Sequence, residues 1–337
     1  MAYIINIKRG RMQILICLAL LLFSSAPAAA FDCRATLSSV QQLVCAHGPL
    51  SVEDDAVDSQ FQQGLLQLSQ KGQDGLKEGR DKWYALRDTV CSRGAVGMKA
   101  AEQVSCLEKE YAARKGTLRN VVTTTKTGLS IFRAEHMAAR VLLRPEGITM
   151  HRQHIAWPQI DDPQTPQHVA WNAHMTKLAA RTLPDPAFCG GDPVNISRDY
   201  AIRFTSVNVI SVAVTVESSC PASVKKERRH FVDNRVLSGG RALSAADLFD
   251  VTTDWKHSLS ALVLEEAGLA AVEVDDTLNT AITKPSRWAL AENGLTVVFD
   301  GMDEKPAAAP REATVPWQKL HRYLSAYPVV RVVRGAE

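Results

Sequence analysis

The chain has 337 residues, 39 Lys+Arg against 36 Asp+Glu, and 46% hydrophobic residues, which is enough for two domains with their own cores. Lys8, Arg9 and Arg11 are the only charges in the first thirty residues, so a chain without that segment balances 36 cations against 36 anions. Such a balance, with no Lys/Arg cluster interleaved with aromatics, argues against nucleic acid as a partner.

The first thirty residues read as a secretory signal. Lys8, Arg9 and Arg11 form a positive start, Met12 to Phe23 an apolar run, and Ala28-Ala29-Ala30 the small side chains a signal peptidase needs. An apolar run of about a dozen residues falls short of the roughly 20 that span a bilayer. Cleavage after Ala30, a periplasmic location and no membrane span in the mature chain are therefore expected. Of the seven cysteines, Cys17 lies in the signal. Cys33, Cys45, Cys91, Cys106, Cys189 and Cys220 remain, an even number that reads as three disulfides in an oxidising compartment. No CxxC pair exists, so a metal site is not expected.

Residues 31–119 carry helical periodicity, with Pro49 as their one proline. A short helix over Ser38–Val44 carries Leu37, Val40 and Val44 on one side. Ser51 with Asp54 three residues on resembles a capping box, followed by an apolar stripe of Val57, Phe61, Leu65 and Leu68. A third helix is predicted over Leu76–Val90, with Trp83 and Leu86 inward. A fourth covers Ala100–Leu118, with Leu107, Tyr111 and Leu118 on its buried side. The expectation is a small all-α bundle stapled by disulfides, each contributing roughly 2–4 kcal/mol. Helix over most of the stretch between Cys33 and Cys45 would part them by on the order of 15–18 Å. A disulfide needs Cα atoms within about 7 Å, so cross-pairing of these two with Cys91 and Cys106 is predicted.

Residues 120–127, around Val121-Val122-Thr123-Thr124-Thr125-Lys126, look like a linker. From 128 to 337 the pattern is α+β with a mainly antiparallel sheet. Helix is predicted at Pro166–Leu183 (Trp171, Met175 and Leu178 in one stripe). Strand alternation covers Ala201–Glu217, with a break at Ile210-Ser211, and a further strand Phe231–Leu237 ends at Gly239-Gly240. Then come a helix over Asp254–Ala267, a strand over Gly294–Asp300, and a last helix over Pro316–Tyr323.

Two spaced patterns resemble known families. Phe31-Asp32-Cys33, Val44-Cys45, Pro49 to Asp54, Val57 and Phe61, then Trp83-x-x-x-Arg87-Asp88-x-x-Cys91 and Cys106-Leu107-x-x-x-Tyr111-x-x-Arg114-x-x-x-Leu118, are similar to the LprI-type lysozyme inhibitor family. Gln41 and Arg80 depart from that pattern, and the stretch between Cys91 and Cys106 is longer than usual. Gly240 to Phe249, Gly294 to Phe299 and the run Pro306 to Leu320 resemble the extracellular domain of RsiV-type anti-sigma factors, shared with some peptidoglycan deacetylases. Both resemblances imply a lysozyme as the protein partner, bound in the periplasm and inhibited by occlusion of its cleft. The alternative implication is a peptidoglycan-associated envelope accessory protein or hydrolase.

Catalytic signatures are sparse. The chain has no G-x-S-x-G, no H-E-x-x-H and no Gly-rich phosphate loop, so neither an enzyme nor a cofactor is expected. His151-x-x-His154 sits in a strand-like stretch where i and i+3 point to opposite faces, which does not suit a metal. Asp161-Asp162 before Pro163 reads as turn chemistry. Glu53, Asp54, Asp55 and Asp58 are the candidate contact residues, since acidic groups would steer the protein toward a basic lysozyme; the competing reading makes them helix-start residues on a solvated face.

Overall fold

The computed structural model describes residues 33, 37–92, 97–144, 147–181, 186–221 and 225–329. The signal-peptide expectation for residues 1–30 lies outside them.

Four helices open the described chain: α1 (Ser39–Ala46), α2 (Gly48–Leu65), α3 (Gln70–Val90) and α4 (Ala100–Leu118). A capping box starts α1: Ser38 Oγ accepts from the Gln41 amide, and Gln41 Oε1 accepts from the Ser38 amide. Gln41, a departure from the family pattern, is thus the reciprocal cap. Ser38 Oγ also donates to Asp88 Oδ2 at 2.9 Å, tying α1 to α3. Losing both contacts in Ser38→Ala is expected to lower stability by about 1 kcal/mol, readable as a lower urea midpoint with an unchanged slope.

The capping box expected at Ser51 is absent. Pro49 stands in the first turn of α2, which already begins at Gly48, so Ser51 is helical and the acids lie further in. The buried stripe of α2 runs Leu50, Asp54, Val57, Asp58 and Phe61, two carboxylates within an apolar face. Helix α3 begins six residues before the predicted Leu76. Ser69 caps it, and Asp161 holds that cap by accepting from the Ser69 amide at 2.7 Å and from its hydroxyl at 2.6 Å.

The predicted disulfide cross-pairing is wrong. Cys33 pairs with Cys45 (Cα–Cα 5.9 Å), Cys91 with Cys106 (5.7 Å) and Cys189 with Cys220 (5.5 Å). The distance argument failed because α1 spans only eight residues and starts at Ser39. Cys33 precedes the helix, and the chain returns it to the helix's far end. Among the described residues no helix is long and apolar enough to cross a membrane. The three disulfides fit an exported protein.

The helices do not close a core by themselves, so the all-α bundle is replaced by a mixed one. Val121, Phe132 and Met137 complete the cluster built by Val57, Phe61, Trp83, Leu107 and Tyr111. The expected linker is not a linker either. Val122–Thr124 forms β1, and Val121 packs against Gly64 and the helical core. Strand β1 pairs antiparallel with β2 (Ser130–Arg144), which runs back as β3 (Gly147–Ile160) in fourteen-pair register from Ile131↔Ile160 to Arg144↔Gly147. Helix α3 lies against this hairpin through Gly72, Gly75 and Gly79. A Cβ at Gly72 would stand 2.4 Å from Asp161 Oδ1, and one at Gly75 3.0 Å from the Phe132 ring.

After α5 (Pro166–Arg181) come β4 (Asn195–Thr205), β5 (Val209–Ser219), β6 (Lys226–Val236) and the short β7 (Arg241–Ala242). They extend β1–β3 into one seven-stranded sheet in chain order, antiparallel except where β3 meets β4 over Gln153–Ile155. The predicted strand Ala201–Glu217 is two strands, and the supposed break at Ile210-Ser211 lies inside β5. Strand β5 is covered on both sides. Ile210, Val212, Val214 and Val216 face α5 with Trp171 and Met175, while Val209 and Ala213 face the other layer. Ser211 is buried there because its Oγ accepts from the Leu290 amide. That other layer is a three-stranded sheet, β8 (Trp288–Leu290), β9 (Gly294–Val298) and β10 (Glu312–Pro316), backed by α6 (Trp255–Glu266) and α7 (Asp276–Ile282). Helix α8 (Trp317–Leu320) follows. The run from Gly240 to Phe249 turns this corner. Gly240 has φ +59°, Arg241 grips Asp247 bidentately at 2.6 Å, and Leu248 and Phe249 enter the core.

Candidate functional site

The four candidate acids do not form one surface. Asp54 and Asp58 are each 4% exposed, on the inner side of α2. Glu53 is half-buried and pairs with Lys115, and Asp55 alone is exposed. Asp54 belongs to an interior network. Tyr111 Oη donates to Asp54 Oδ1 at 2.7 Å, and Arg87 Nη1 donates to the same tyrosine oxygen at 2.7 Å. Arg87 Nε and Nη2 both reach Asp88. Burial pushes the Asp54 carboxyl above its usual range, outweighing the Tyr111 hydrogen bond and the Arg87 charge; burial raises Asp58 too. The residues that carry the LprI-like pattern are therefore largely internal. Arg80, the other departure from the pattern, lies over the Phe61 ring at 4.6 Å.

His151 and His154 part as expected for one strand. His151 Nε2 donates to the Val194 carbonyl while its Nδ1 accepts from Arg140. His154 instead reaches Glu135 at 3.1 Å. Asp161-Asp162 does make the turn after β3, with Asp162 at φ +44°, and Asp161 doubles as the cap of α3.

Two features emerge from the folded chain. The first is a cleft of about 830 Å³ where α3 and α4 meet the hairpin and the ends of β4, β5 and β6. Trp83, Leu86, Met137 and Ile196 give it apolar surface. Its charged walls hold five cations (Lys109, Arg114, Arg152, Lys226 and Arg228) and three acids (Glu110, Glu217 and Glu227). Arg152 Nη2 donates to Glu110 at 2.5 Å, and Arg228 lies 3.6 Å from Glu217.

Glu135 lies behind this wall with its side chain fully buried. It accepts from Arg114 Nη1 at 2.6 Å, Arg133 Nε at 2.7 Å and His154 Nε2. Arg133 in turn donates to Asp199 at 2.6 Å. Burial by itself would raise the Glu135 carboxyl. The Arg114 charge, the His154 hydrogen bond and the Arg133 charge outweigh it and hold the group well below the usual carboxylate range. This cluster clamps α4 to the hairpin and to β4.

The second feature is the far end of the β2–β3 hairpin. Among the described residues, no third strand joins β2 beyond Phe132 or β3 before Gln153. Ala139 and Met150 still pack on the helical core, but Leu143 and Ile148, paired across the hairpin, are 81% and 49% exposed. The result is a two-stranded arm with an exposed apolar pair near its end, on a base fixed by α3 and by the Glu135 cluster. Sequence reading missed both features. The arm's own signal was the apolar pair Leu142-Leu143 followed shortly by Ile148 between polar flanks.

Among the described residues no group of three or more His, Cys, Asp and Glu is placed to hold a metal ion. No family model matches the chain, and no curated protein matches it. Among solved structures the chain is similar to a member of the DUF3298 family from Bacteroides fragilis, at 13% identity over 61% of this chain and 98% of that one, with a TM-score of 0.39. It is also similar to a DUF3298 family protein from Pseudomonas aeruginosa, at 16% identity over 58% of this chain and 94% of that one, with a TM-score of 0.40.

Proposed function

We propose that this is a periplasmic lysozyme-binding protein that inhibits by occlusion, with no turnover of its own. The observation that carries the reading is the arm: a paired hairpin whose Leu143 and Ile148 stand exposed on an anchored base. Isolated apolar groups near the end of such an arm gain by leaving water, and a preformed arm loses little conformational entropy on docking. Both sequence resemblances point to the same class of partner. Electrostatic steering by a four-acid patch is not part of this reading, because Asp54 and Asp58 face inward.

The test mixes residues 31–337 with hen-type and goose-type lysozymes and follows lysis of cell-wall suspensions. Inhibition of at least one is expected. Leu143→Asp with Ile148→Asp should weaken it at least tenfold while leaving thermal unfolding unchanged, since neither side chain belongs to a core. Inhibition that survives the double substitution would overturn the arm. Firm binding to peptidoglycan with no effect on any lysozyme would instead favour an envelope accessory protein.

A further inference from the structure

The cleft beside α4 has a feature that its protein neighbours do not explain. Arg114 is 3% exposed and lines it, yet only Nη1 has a partner. Its Nε and Nη2 are buried and make no hydrogen bond within the chain. Those two nitrogens form one edge of the guanidinium, the edge that grips a carboxylate or phosphate through two parallel hydrogen bonds. A buried donor left without an acceptor is costly, and this one lines an open cleft from which an acceptor can come. Ser218, near the end of β5, repeats the signature in the same cleft: it is 2% exposed, and its Oγ has no partner.

We infer that the cleft is a binding site for a small anionic ligand, a carboxylate on an amphipathic body, held by the Nε–Nη2 edge of Arg114 and by Ser218 Oγ. Five cations in the walls face three acids, an excess of cationic groups that suits an anion. The volume of about 830 Å³ lies within the range of small-molecule sites, roughly 300–1,000 Å³. Trp83, Met137 and Ile196 offer apolar surface to the ligand's body, and the Arg114 guanidinium lies 5.6 Å from the Trp83 ring centre. This site is separate from the arm's tip and does not depend on it.

Titration calorimetry on residues 31–337 tests the inference, with acetate, lactate and N-acetylmuramic acid as carboxylates, N-acetylglucosamine as the neutral counterpart and inorganic phosphate as the other oxyanion. Affinity should rise with the size of the carboxylate's body, and N-acetylmuramic acid should bind at least tenfold more tightly than N-acetylglucosamine. Arg114→Lys keeps the charge but loses the fork, and should reduce that affinity at least tenfold. Ser218→Ala is the control against misfolding. Its hydroxyl has no partner to lose, so unfolding should be unchanged or later while the carboxylate affinity falls severalfold. The inference is overturned if no carboxylate binds more tightly than the neutral sugar, if phosphate outcompetes the carboxylates, or if Arg114→Lys and Ser218→Ala both bind as well as the parent.

Discussion

Glu135→Ala is expected to lower folding stability by about 3–5 kcal/mol, among the largest losses any single substitution here should produce. The side chain is fully buried and serves Arg114, Arg133 and His154 at once. Removing it strands two guanidinium groups inside the protein, and only Arg133 keeps another carboxylate, Asp199. Chemical denaturation followed by far-ultraviolet dichroism reads the loss. A double substitution with Arg114→Ala should be milder than the sum of the two single ones, because the second change removes a charge the first left unpaired. Additive losses would mean that Arg114 and Glu135 do not act as a pair.

The same carboxylate sets an acid dependence whose sign can be worked out. Its folded pKa lies below the unfolded value of about 4.3, so its contribution is complete above that value. The contribution drains away as pH falls toward the lower folded pKa. Asp54 and Asp58 act in the opposite sense. Burial raises both, so their burden on the folded state eases as acid protonates them. Glu135→Gln should therefore show a flatter decline in stability below pH ~4.3 than the parent chain. An equally steep decline would place the acid-labile group elsewhere.

How much of this was legible in the sequence depends on where apolar pattern and burial coincide. Helix α5 was legible because Trp171, Met175 and Leu178 fall in one stripe at helical spacing: the first two are core and Leu178 packs against it partly buried, with Ala179 the third fully buried position. Helix α4 was read with its bounds correct. The β2–β3 hairpin was not, because its inward positions include Arg133, Glu135 and His151. Charges paired within the protein look like solvent-facing residues to any reading of hydrophobic alternation. Asp54 and Asp58 misled in the same way, although their spacing with Leu50, Val57 and Phe61 put them on the buried stripe. The start of α3 was hidden by Gly72 and Gly75, poor helix formers retained where the hairpin comes too close for a side chain. The cleft gathers α3, α4 and the ends of three strands far apart in the chain, and no local pattern announces it.

Arg198→Met should move stability the other way, raising it by about 1–4 kcal/mol. Arg198 sits on β4 two residues after Ile196 and opposite Val216, both members of the core beneath α5. It is 1% exposed, and Nε, Nη1 and Nη2 all lack a hydrogen-bond partner. Burial pulls its guanidinium down to about 10, and the charge of Asp233 offsets only part of that. Unlike Arg114, it does not line the cleft beside α4, so a ligand bound there does not repay its desolvation. Methionine matches its length, adapts to irregular space and brings no polar atom that needs a partner. Arg198→Ala is the informative contrast: it removes the charge but leaves a cavity, and the lost packing should cancel most of the gain. If methionine destabilises the protein as much as alanine does, the buried charge is holding the sheet rather than straining it.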